Sequence, residues 1–352
     1  SEMAIILGLL TLVLLYIVIV QISKASDLIK TLRSGVEQEQ SHEKSALFIS
    51  ILGFAILIYS LVSSYIYAPT LLPKPASEQG EWINNLMNIT LLLTGIVFIL
   101  THIVLFWFVY KYHYRKDRKA YFYSHNNKLE IIWTVAPSAV LTLLIVFGIQ
   151  KWFKIFSPAP KDAIVIEVTG KQYSWMVRYA GRDKILGPRD FTLVKGDNEL
   201  GVNWNDKKSQ DDIMADEIVI PVNKPVSVNI GALDVIHNFY IPHFRLMMSA
   251  VPGVPTHLWF RPTITTEEMR KELNNPKFDY VVACNKLCGS GHYNMQKKLV
   301  VVTEAEYEKW IKSQRSYYYS VVKPGMKDGS FVLSTPISEA KSKLNSEKNK
   351  KH

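Results

Sequence analysis

Four long apolar runs within the first 150 residues constrain this chain more than any other feature of its sequence. They cover approximately residues 3–21, 46–67, 86–110 and 129–150. A bilayer core of ~30 Å needs about 20 helical residues to cross it, and each run has that length. Backbone polar groups in lipid must bond within their own segment, so isolated runs of this kind are helices. The sequence therefore predicts a membrane anchor of four transmembrane helices.

Loop charge predicts how these helices are oriented. Basic residues gather after the first run, and six more lie between residues 111 and 128, after the third run, against Asp117 alone. The loop between the second and third runs has only Lys74. The positive-inside rule makes the first and third loops cytoplasmic and puts both termini on the outer side. We expect a multi-pass protein of a bacterial inner membrane, with its C-terminal half on the periplasmic side.

The C-terminal half has the texture of a β-rich domain. Short stretches rich in Val, Ile and Tyr are broken by Pro, Gly and Asn, which predicts an antiparallel sandwich or small barrel. Residues 181–214 look like a polar surface insertion, and Thr265 with Glu268 predicts a capped short helix. A terminal helix is expected over 304–314, followed by a loosely ordered tail after residue 323. The predicted strands are 163–169, 172–179, 217–222, 225–230, 258–261, 278–283 and 298–303.

The composition agrees with a chain divided between lipid and water, because 48% of its residues are hydrophobic while 20% are charged. Its formal net charge of +10 could indicate a nucleic-acid partner. The basic residues are, however, gathered mainly in residues 111–128 and in the Lys-rich C-terminal tail. This distribution favours loop and tail charges, with membrane lipid as the neighbour and no nucleic acid.

One segment concentrates the metal-binding chemistry. Cys284, Cys288, His292 and Met295 fall within twelve residues, immediately after a predicted strand. Thiolate and thioether are soft donors that, with imidazole, select copper over hard cations. His237, which follows the 225–230 strand, is the candidate for a second imidazole. Three alternatives stay open on the residues alone: a disulfide, a Cys2His2 zinc site, or buried thiols without a ligand role.

The spacing C-x-x-x-C-x-x-x-H-x-x-M resembles the dinuclear copper (CuA) loop of the cytochrome c oxidase subunit II family. Further similar segments occur in the family's order between about residues 86 and 314. They are Leu129-Glu-Ile-Ile-Trp-Thr134, Gly170-Lys-Gln-Tyr-Ser-Trp175, Asp234-Val-Ile-His237 and Ala250-Val-Pro-Gly253.

This resemblance implies a Greek-key cupredoxin-like sandwich that follows the membrane anchor in the chain. It implies that a pair of copper ions is held by His237, Cys284, Cys288, His292, Met295 and the backbone carbonyl of Lys286. Such a centre accepts electrons from a c-type cytochrome and passes them to haem in subunit I. There, haems and further copper reduce oxygen to water, coupled to proton pumping. Subunits I and III are the implied partners.

Several positions depart from the family pattern. The family has an acidic magnesium ligand where this chain has Lys286, so we do not expect magnesium. Its electron-accepting tryptophan falls at Tyr173, and Trp175 is the next aromatic candidate. Ser249 replaces an acidic residue, which weakens a landing zone for a basic cytochrome. Glu130 matches a proton-pathway residue, although an ordinary interfacial charge at a helix N-terminus would also explain it.

The sequence also predicts a division into four segments. Residues 1–84 form an additional N-terminal helix pair, and residues 85–155 form the helical hairpin that is typical of the family. Residues 156–320 form the copper domain, and residues 321–352 form the tail. The additional helices suggest contact with another subunit or complex, and hence a cytochrome donor that is tethered in a partner complex.

Overall fold

The computed structural model describes residues 2–33 and 37–328. Its N-terminal part contains four long helices, and each apolar run lies within one of them. By length and composition, three stretches among the described residues could cross a membrane: His42–Leu71, Glu78–Lys111 and Asn127–Ile155. A crossing by the first helix remains a prediction. The helices are α1 (Glu2–Arg33), α2 (Glu37–Leu71), α3 (Glu78–Lys111) and α4 (Asn127–Ile155).

Helix α2, which belongs to the predicted additional pair, packs against α3. The hydroxyl of Ser50 donates to the carbonyl of Phe106 at 2.8 Å. The Phe54 and Phe106 rings meet edge to face with centroids 5.7 Å apart. Ala46 and Leu57 are buried on the same helix, while most other apolar side chains of α2 are exposed. This contact stabilises the anchor, and the outward apolar surface suits lipid.

The C-terminal half is a sandwich of two five-stranded sheets, in the orders β3-β2-β1-β5-β8 and β4-β10-β9-β6-β7. Branched and aromatic side chains from both sheets, such as Ile166, Val228, Phe239 and Val282, fill the core between them. The strands are β1 (Ile164–Lys171), β2 (Ser174–Tyr179), β3 (Ile213–Ala215), β4 (Ile218–Pro221), β5 (Val226–Ala232), β6 (His237–Ile241), β7 (Leu246–Ala250), β8 (Thr256–Phe260), β9 (Tyr280–Cys284) and β10 (Gln296–Val302).

The predicted sandwich is confirmed, although not all of its strand pairs are antiparallel. Strand β1 pairs with β5 in parallel, and β4 pairs with β10 in parallel. The two strands of each parallel pair are far apart in the chain. This is expected, because a tight turn cannot connect parallel strands. Strands β3, β6 and β7 were not predicted.

The short helices follow local sequence signals. The capping box of Thr265 and Glu268 is present, and it starts α5 (Thr266–Glu272). A second capping box, from Thr303 and Glu306, starts α6 (Glu304–Ser313), which confirms the expected terminal helix. A π-helix (Tyr318–Val322) and α7 (Lys323–Asp328) follow.

The 181–214 insertion and the residues after α6 form a second small core. Leu200, Val202 and Trp204 of the insertion pack with Val322, which is fully buried. The backbone N–H of Tyr317 also donates to the carbonyl of Asp212 at 2.9 Å. The folded chain therefore extends beyond the predicted boundary at residue 320, and the rest of the predicted tail lies outside the described residues.

Residues 72–80, which include the first residues of α3, pack into the β-sandwich, and we call this segment the strap. Its Ala76, Ser77 and Gln79 are fully buried. The N–H of Ala76 donates to the carbonyl of His243 at 2.7 Å, and the Ser77 hydroxyl donates to that of Phe244 at 2.9 Å. The predicted division instead placed these residues with the N-terminal helices. Their burial depends on contacts with residues that are distant in the chain, so no local sequence pattern indicated it.

Candidate metal centre

Adjacent strands bring the distant ligand candidates together. Strand β9 ends at Cys284, and its neighbour β6 begins at His237. Phe239 of β6 lies opposite Cys284, so His237 projects at the same end of the sheet. Residues 285–295 connect β9 to β10, and we call them the ligand loop. The loop turns back so that Cys288 lies beside Cys284.

The predicted ligands form two half-sites around the cysteine sulfurs. Beside Cys284 Sγ lie His237 Nδ1 at 3.9 Å and the carbonyl of Lys286 at 3.2 Å. Beside Cys288 Sγ lie His292 Nδ1 at 3.6 Å and Met295 Sδ at 3.9 Å. Each thiol thus has its own imidazole and one weaker donor.

The sulfur atoms of Cys284 and Cys288 are 3.9 Å apart, and both residues are free. A disulfide joins its sulfurs at about 2.05 Å, so this is not a disulfide. Burial, together with the neighbouring Cys284, raises the pKa of the Cys288 thiol to about 11. The pocket therefore favours the protonated form of the Cys288 thiol, and binding a metal there would release its proton.

Asp234 orients His237. Its Oδ1 lies 2.8 Å from His237 Nε2, which makes Nε2 the protonated nitrogen and leaves Nδ1 free to bind a metal. Burial raises the pKa of Asp234, but hydrogen bonds from the Gln172 N–H and from His237 outweigh it, so the pKa falls below the usual range. His237 is fully buried, and its ring makes a T-shaped contact with that of Trp175.

The turn between β1 and β2 covers the ligand loop. The Gln172 side chain donates to the carbonyl of Cys288, and the Tyr173 hydroxyl lies 3.2 Å from Ser290 Oγ. A Cβ on Gly289 or Gly291 would overlap Tyr173, so its ring rests directly on the loop backbone. Gly289 also has φ +138, a conformation that favours glycine.

The donor set fits soft metal ions. Ligand atoms of His237, Cys284 and Cys288 all lie within 4.8 Å of one another, and all three residues are buried. Sulfur and imidazole select copper or zinc, and the added thioether of Met295 favours copper. Each thiol also has a separate imidazole beside it.

Comparisons with known proteins agree with this geometry. Residues 64–150 match the profile "Cytochrome C oxidase subunit II, transmembrane domain", and residues 164–303 match that of the periplasmic domain. The alternative cytochrome c oxidase subunit 2 of Bradyrhizobium diazoefficiens is 31% identical over 77% of this chain and 92% of its own length. The chain belongs to the cytochrome c oxidase subunit II family. It is therefore a membrane-bound subunit of the haem–copper oxidase complex with a periplasmic domain, and the family implies copper binding and electron transfer within that complex.

Other subunit II proteins are similar. Cytochrome c oxidase subunit 2 of Cereibacter sphaeroides is 27% identical over 70% of this chain and 80% of its own length. A crystal structure of the periplasmic domain of subunit II from Bradyrhizobium japonicum is 28% identical. It covers 44% of this chain and 94% of its own, with a TM-score of 0.30.

The two aromatic candidates occupy different environments. Tyr173 is 37% exposed above the ligand loop, whereas Trp175 is 1% exposed between the sheets. Trp175 contacts the rings of His237 and Phe239, each 6.0 Å away between centroids. Of the two, only Tyr173 can be touched by a docking protein.

Glu130 caps the start of α4. Its Oε1 accepts from the N–H of Asn126 at 3.3 Å, while Asn126 Oδ1 accepts from the N–H of Leu129 at 3.0 Å. The structure thus gives Glu130 a helix-capping contact, and its predicted role in a proton pathway stays a prediction.

Lys286 does not suit the family's magnesium site. Its side chain is exposed and ends in an ammonium group, so this position offers no carboxylate to a divalent cation. Its carbonyl oxygen, 3.2 Å from Cys284 Sγ, is the donor atom that this residue offers to the site.

The sequence interpretation missed three residues that shape the site. Asp234 and Gln172 support His237 and the Cys288 backbone, and Gly170 leaves room for the His237 ring. A Cβ on Gly170 would lie 2.9 Å from His237 and 3.0 Å from Trp175. The Asp-x-x-His spacing at 234–237 could have indicated the first, since metal-binding histidines usually donate to a carboxylate. No local pattern marks the other two.

Proposed function

We propose that this subunit holds a pair of copper ions between Cys284 and Cys288 and relays electrons from a c-type cytochrome to haem in subunit I. One observation carries the proposal: each buried thiol has a separate imidazole and a separate weak donor. A zinc site would instead bring both imidazoles to a single ion.

Copper held by Cys284, Cys288 and the donors beside them would supply one-electron chemistry. The protein's contribution is to keep the ligands still. Strands β6 and β9 fix His237 and Cys284, Asp234 fixes the imidazole ring, and the Gln172 side chain holds the Cys288 backbone. Ligands that are held in this way move little on redox change, which favours fast electron transfer.

We infer that Tyr173 is the contact point for the donor, because its exposed ring lies on the backbone beside Cys288 and His292. The donor we propose is a c-type cytochrome, tethered in a partner complex. Two features support tethering: Ser249 in place of an acidic residue, and a helix α2 that adds to the family's hairpin.

The remaining assignments follow from this role. Oxygen reduction to water, coupled to proton pumping, would take place in subunit I with its own haems and copper, and subunit III would be a further partner. Loop charge supports four crossings, with both termini and the copper domain on the periplasmic side of a bacterial inner membrane. Glu130 would stand at the mouth of a proton pathway.

Rapid mixing of the assembled oxidase with reduced donor cytochrome tests the relay. We expect Cys288→Ser to remove the near-infrared copper band and to slow cytochrome oxidation by at least ~100-fold, since a bridging ligand is lost. Tyr173→Ala should keep the band and slow only the step that depends on cytochrome concentration. Phe191→Ala, which removes an exposed ring from the 181–214 insertion, is the control and should match the wild type. Cytochrome oxidation by Cys288→Ser at the wild-type rate would exclude the relay.

A further inference from the structure

Residues 111–128, which join α3 to α4, combine positive charge with aromatic rings, and we call this segment the basic loop. It contains six Lys and Arg residues against one carboxylate, that of Asp117. Five aromatic residues are interleaved with them: Tyr112, Tyr114, Tyr121, Phe122 and Tyr123.

The aromatic rings of the basic loop are strongly exposed. Tyr121 is 86% exposed, Phe122 is 88% exposed and Tyr123 is 62% exposed. Rings of this size are best placed at the headgroup level of a bilayer, where one side meets acyl chains and the other meets water. Both flanking helices are long and apolar enough to cross a membrane. The basic loop therefore lies at the bilayer surface, where it connects the ends of two membrane-spanning helices.

Arg118 folds the basic loop back onto the end of α3. Its guanidinium donates to the carbonyls of Lys111 at 2.8 Å and His113 at 2.6 Å. These contacts satisfy carbonyls at the C-terminus of the helix, where a cation is also favoured. The loop is thereby held near the level at which α3 ends.

The single carboxylate of the basic loop is already engaged. Arg115 pairs with Asp117 at 3.2 Å. Glu130, just beyond the loop, accepts from the backbone N–H of Asn126. Lys119 and Lys128 are exposed and form no ion pair within the part of the chain that the structure describes. Positive charge is therefore in excess where phosphate groups of a bilayer lie.

We propose that the basic loop binds the headgroups of anionic phospholipids. The rule that places Lys and Arg in cytoplasmic loops explains the charges but not the row of exposed rings. A lipid satisfies both, since its phosphate pairs with the lysines and its glycerol and acyl region takes up the rings. Free phosphate would neutralise the lysines and leave the rings in water.

The full-length chain in nanodiscs of mixed phosphatidylcholine and phosphatidylglycerol provides the test. After gentle transfer to detergent, native mass spectrometry measures the ratio of phosphatidylglycerol to phosphatidylcholine that each protein retains. We expect Lys119→Gln/Lys128→Gln to lower this ratio roughly tenfold or more, since each lysine near an anionic surface contributes about fivefold. Phe122→Ser should lower the retention of both lipids.

Matched variants in the periplasmic domain test whether the loss of two lysines or of one exposed ring anywhere in the chain has the same effect on lipid retention. Lys207→Gln/Lys208→Gln removes the same charge, and Phe191→Ser removes a ring that is 79% exposed. Both should retain lipid as the wild type does, and an unchanged far-ultraviolet circular dichroism spectrum would show that every variant is folded.

Three results would overturn the proposal. The first is equal phosphatidylglycerol retention by Lys119→Gln/Lys128→Gln and the wild type. The second is displacement of the lipid by an excess of inorganic phosphate, which would indicate a general anion site. The third is loss of subunit I from the assembled oxidase with lipid retention unchanged, which would make the basic loop a protein contact.

Discussion

Asp234 accepts a hydrogen bond from Nε2 of His237 at 2.8 Å, and the opposite nitrogen of the same ring faces Cys284 at 3.9 Å. The carboxylate thus sets both the orientation and the tautomer of a residue that can bind metal. Asp234 also accepts from the backbone N–H of Gln172 at 2.7 Å, which joins the β1–β2 turn to the site.

Replacement of this carboxylate should weaken metal binding without unfolding the domain. Asp234→Asn keeps an oxygen acceptor but loses the negative charge that faces Nε2 of His237. We expect copper affinity to fall by ~10–100-fold, as is usual when a carboxylate behind a histidine ligand is lost. Competition with a copper chelator measures it, with the exposed Asp162→Asn as control. Equal affinities for Asp234→Asn and the wild type would show that the carboxylate has no such role.

Gly170 provides the space that the His237 ring occupies. A Cβ there would lie 2.9 Å from that ring, so Gly170→Ala must displace His237 or Trp175. Overpacking of this kind costs about 1–3 kcal/mol, and we expect a lower Tm together with a shifted copper absorption band. Gly196→Ala is the matched control, because no atom lies within 4 Å of its added Cβ. A Gly170→Ala protein with the wild-type Tm and spectrum would contradict this packing.

The candidate donors from Cys284 to Met295 could be picked out from the sequence because they lie close together in the chain, and the structure places them side by side. The capping box at Thr265 was equally readable, since its two partners are three residues apart. Strands β6 and β7 were missed because they are five residues each and contain polar or flexible residues, such as Asn238 and Met247, that do not alternate clearly.

Apart from the approach of His237 to Cys284, contacts between distant segments could not be predicted. The strap buries Ser77 and Gln79, which are polar and look like surface residues in isolation. Trp204 lies in an insertion of polar composition, yet it is buried because Val322 and Tyr317 come from more than 100 residues later to cover it. Burial of this kind is a property of the fold, and single-segment patterns do not contain it.

The capping contact of Glu130 allows its two roles to be separated. Glu130→Gln keeps an oxygen that can accept from the Asn126 N–H but removes the titratable group. If Glu130 serves a proton pathway, oxygen consumption by the assembled oxidase should fall several-fold while helix content is unchanged. Unaltered turnover of Glu130→Gln, together with a less stable Glu130→Ala, would leave the residue with a capping role only.

His243 should make the outer domain sensitive to acid. Burial, and then the charge of Arg245, lowers its pKa from 6.5 to about 4 in the folded protein. The unfolded chain binds a proton below pH 6.5 and the folded protein only below about 4, so stability is lost as pH falls between these values. After allowance for partial exposure, the loss is on the order of 1 kcal/mol.

Thermal unfolding of the full-length chain against pH checks this expectation. His243→Phe retains an aromatic ring beside Phe278 and Tyr280 and should lose less Tm between pH 6.5 and 4 than the wild type. His257→Gln, at an exposed position, should follow the wild type. Parallel Tm curves for His243→Phe and the wild type would mean that another group causes the acid sensitivity.

The most direct test of the metal centre is the metal content of the purified full-length chain, combined with electron paramagnetic resonance of its oxidised form. The two half-sites around Cys284 and Cys288 predict a pair of copper ions per chain and a hyperfine pattern from one electron shared equally by both nuclei. A single zinc ion, or copper with the spectrum of an isolated ion, would contradict the account.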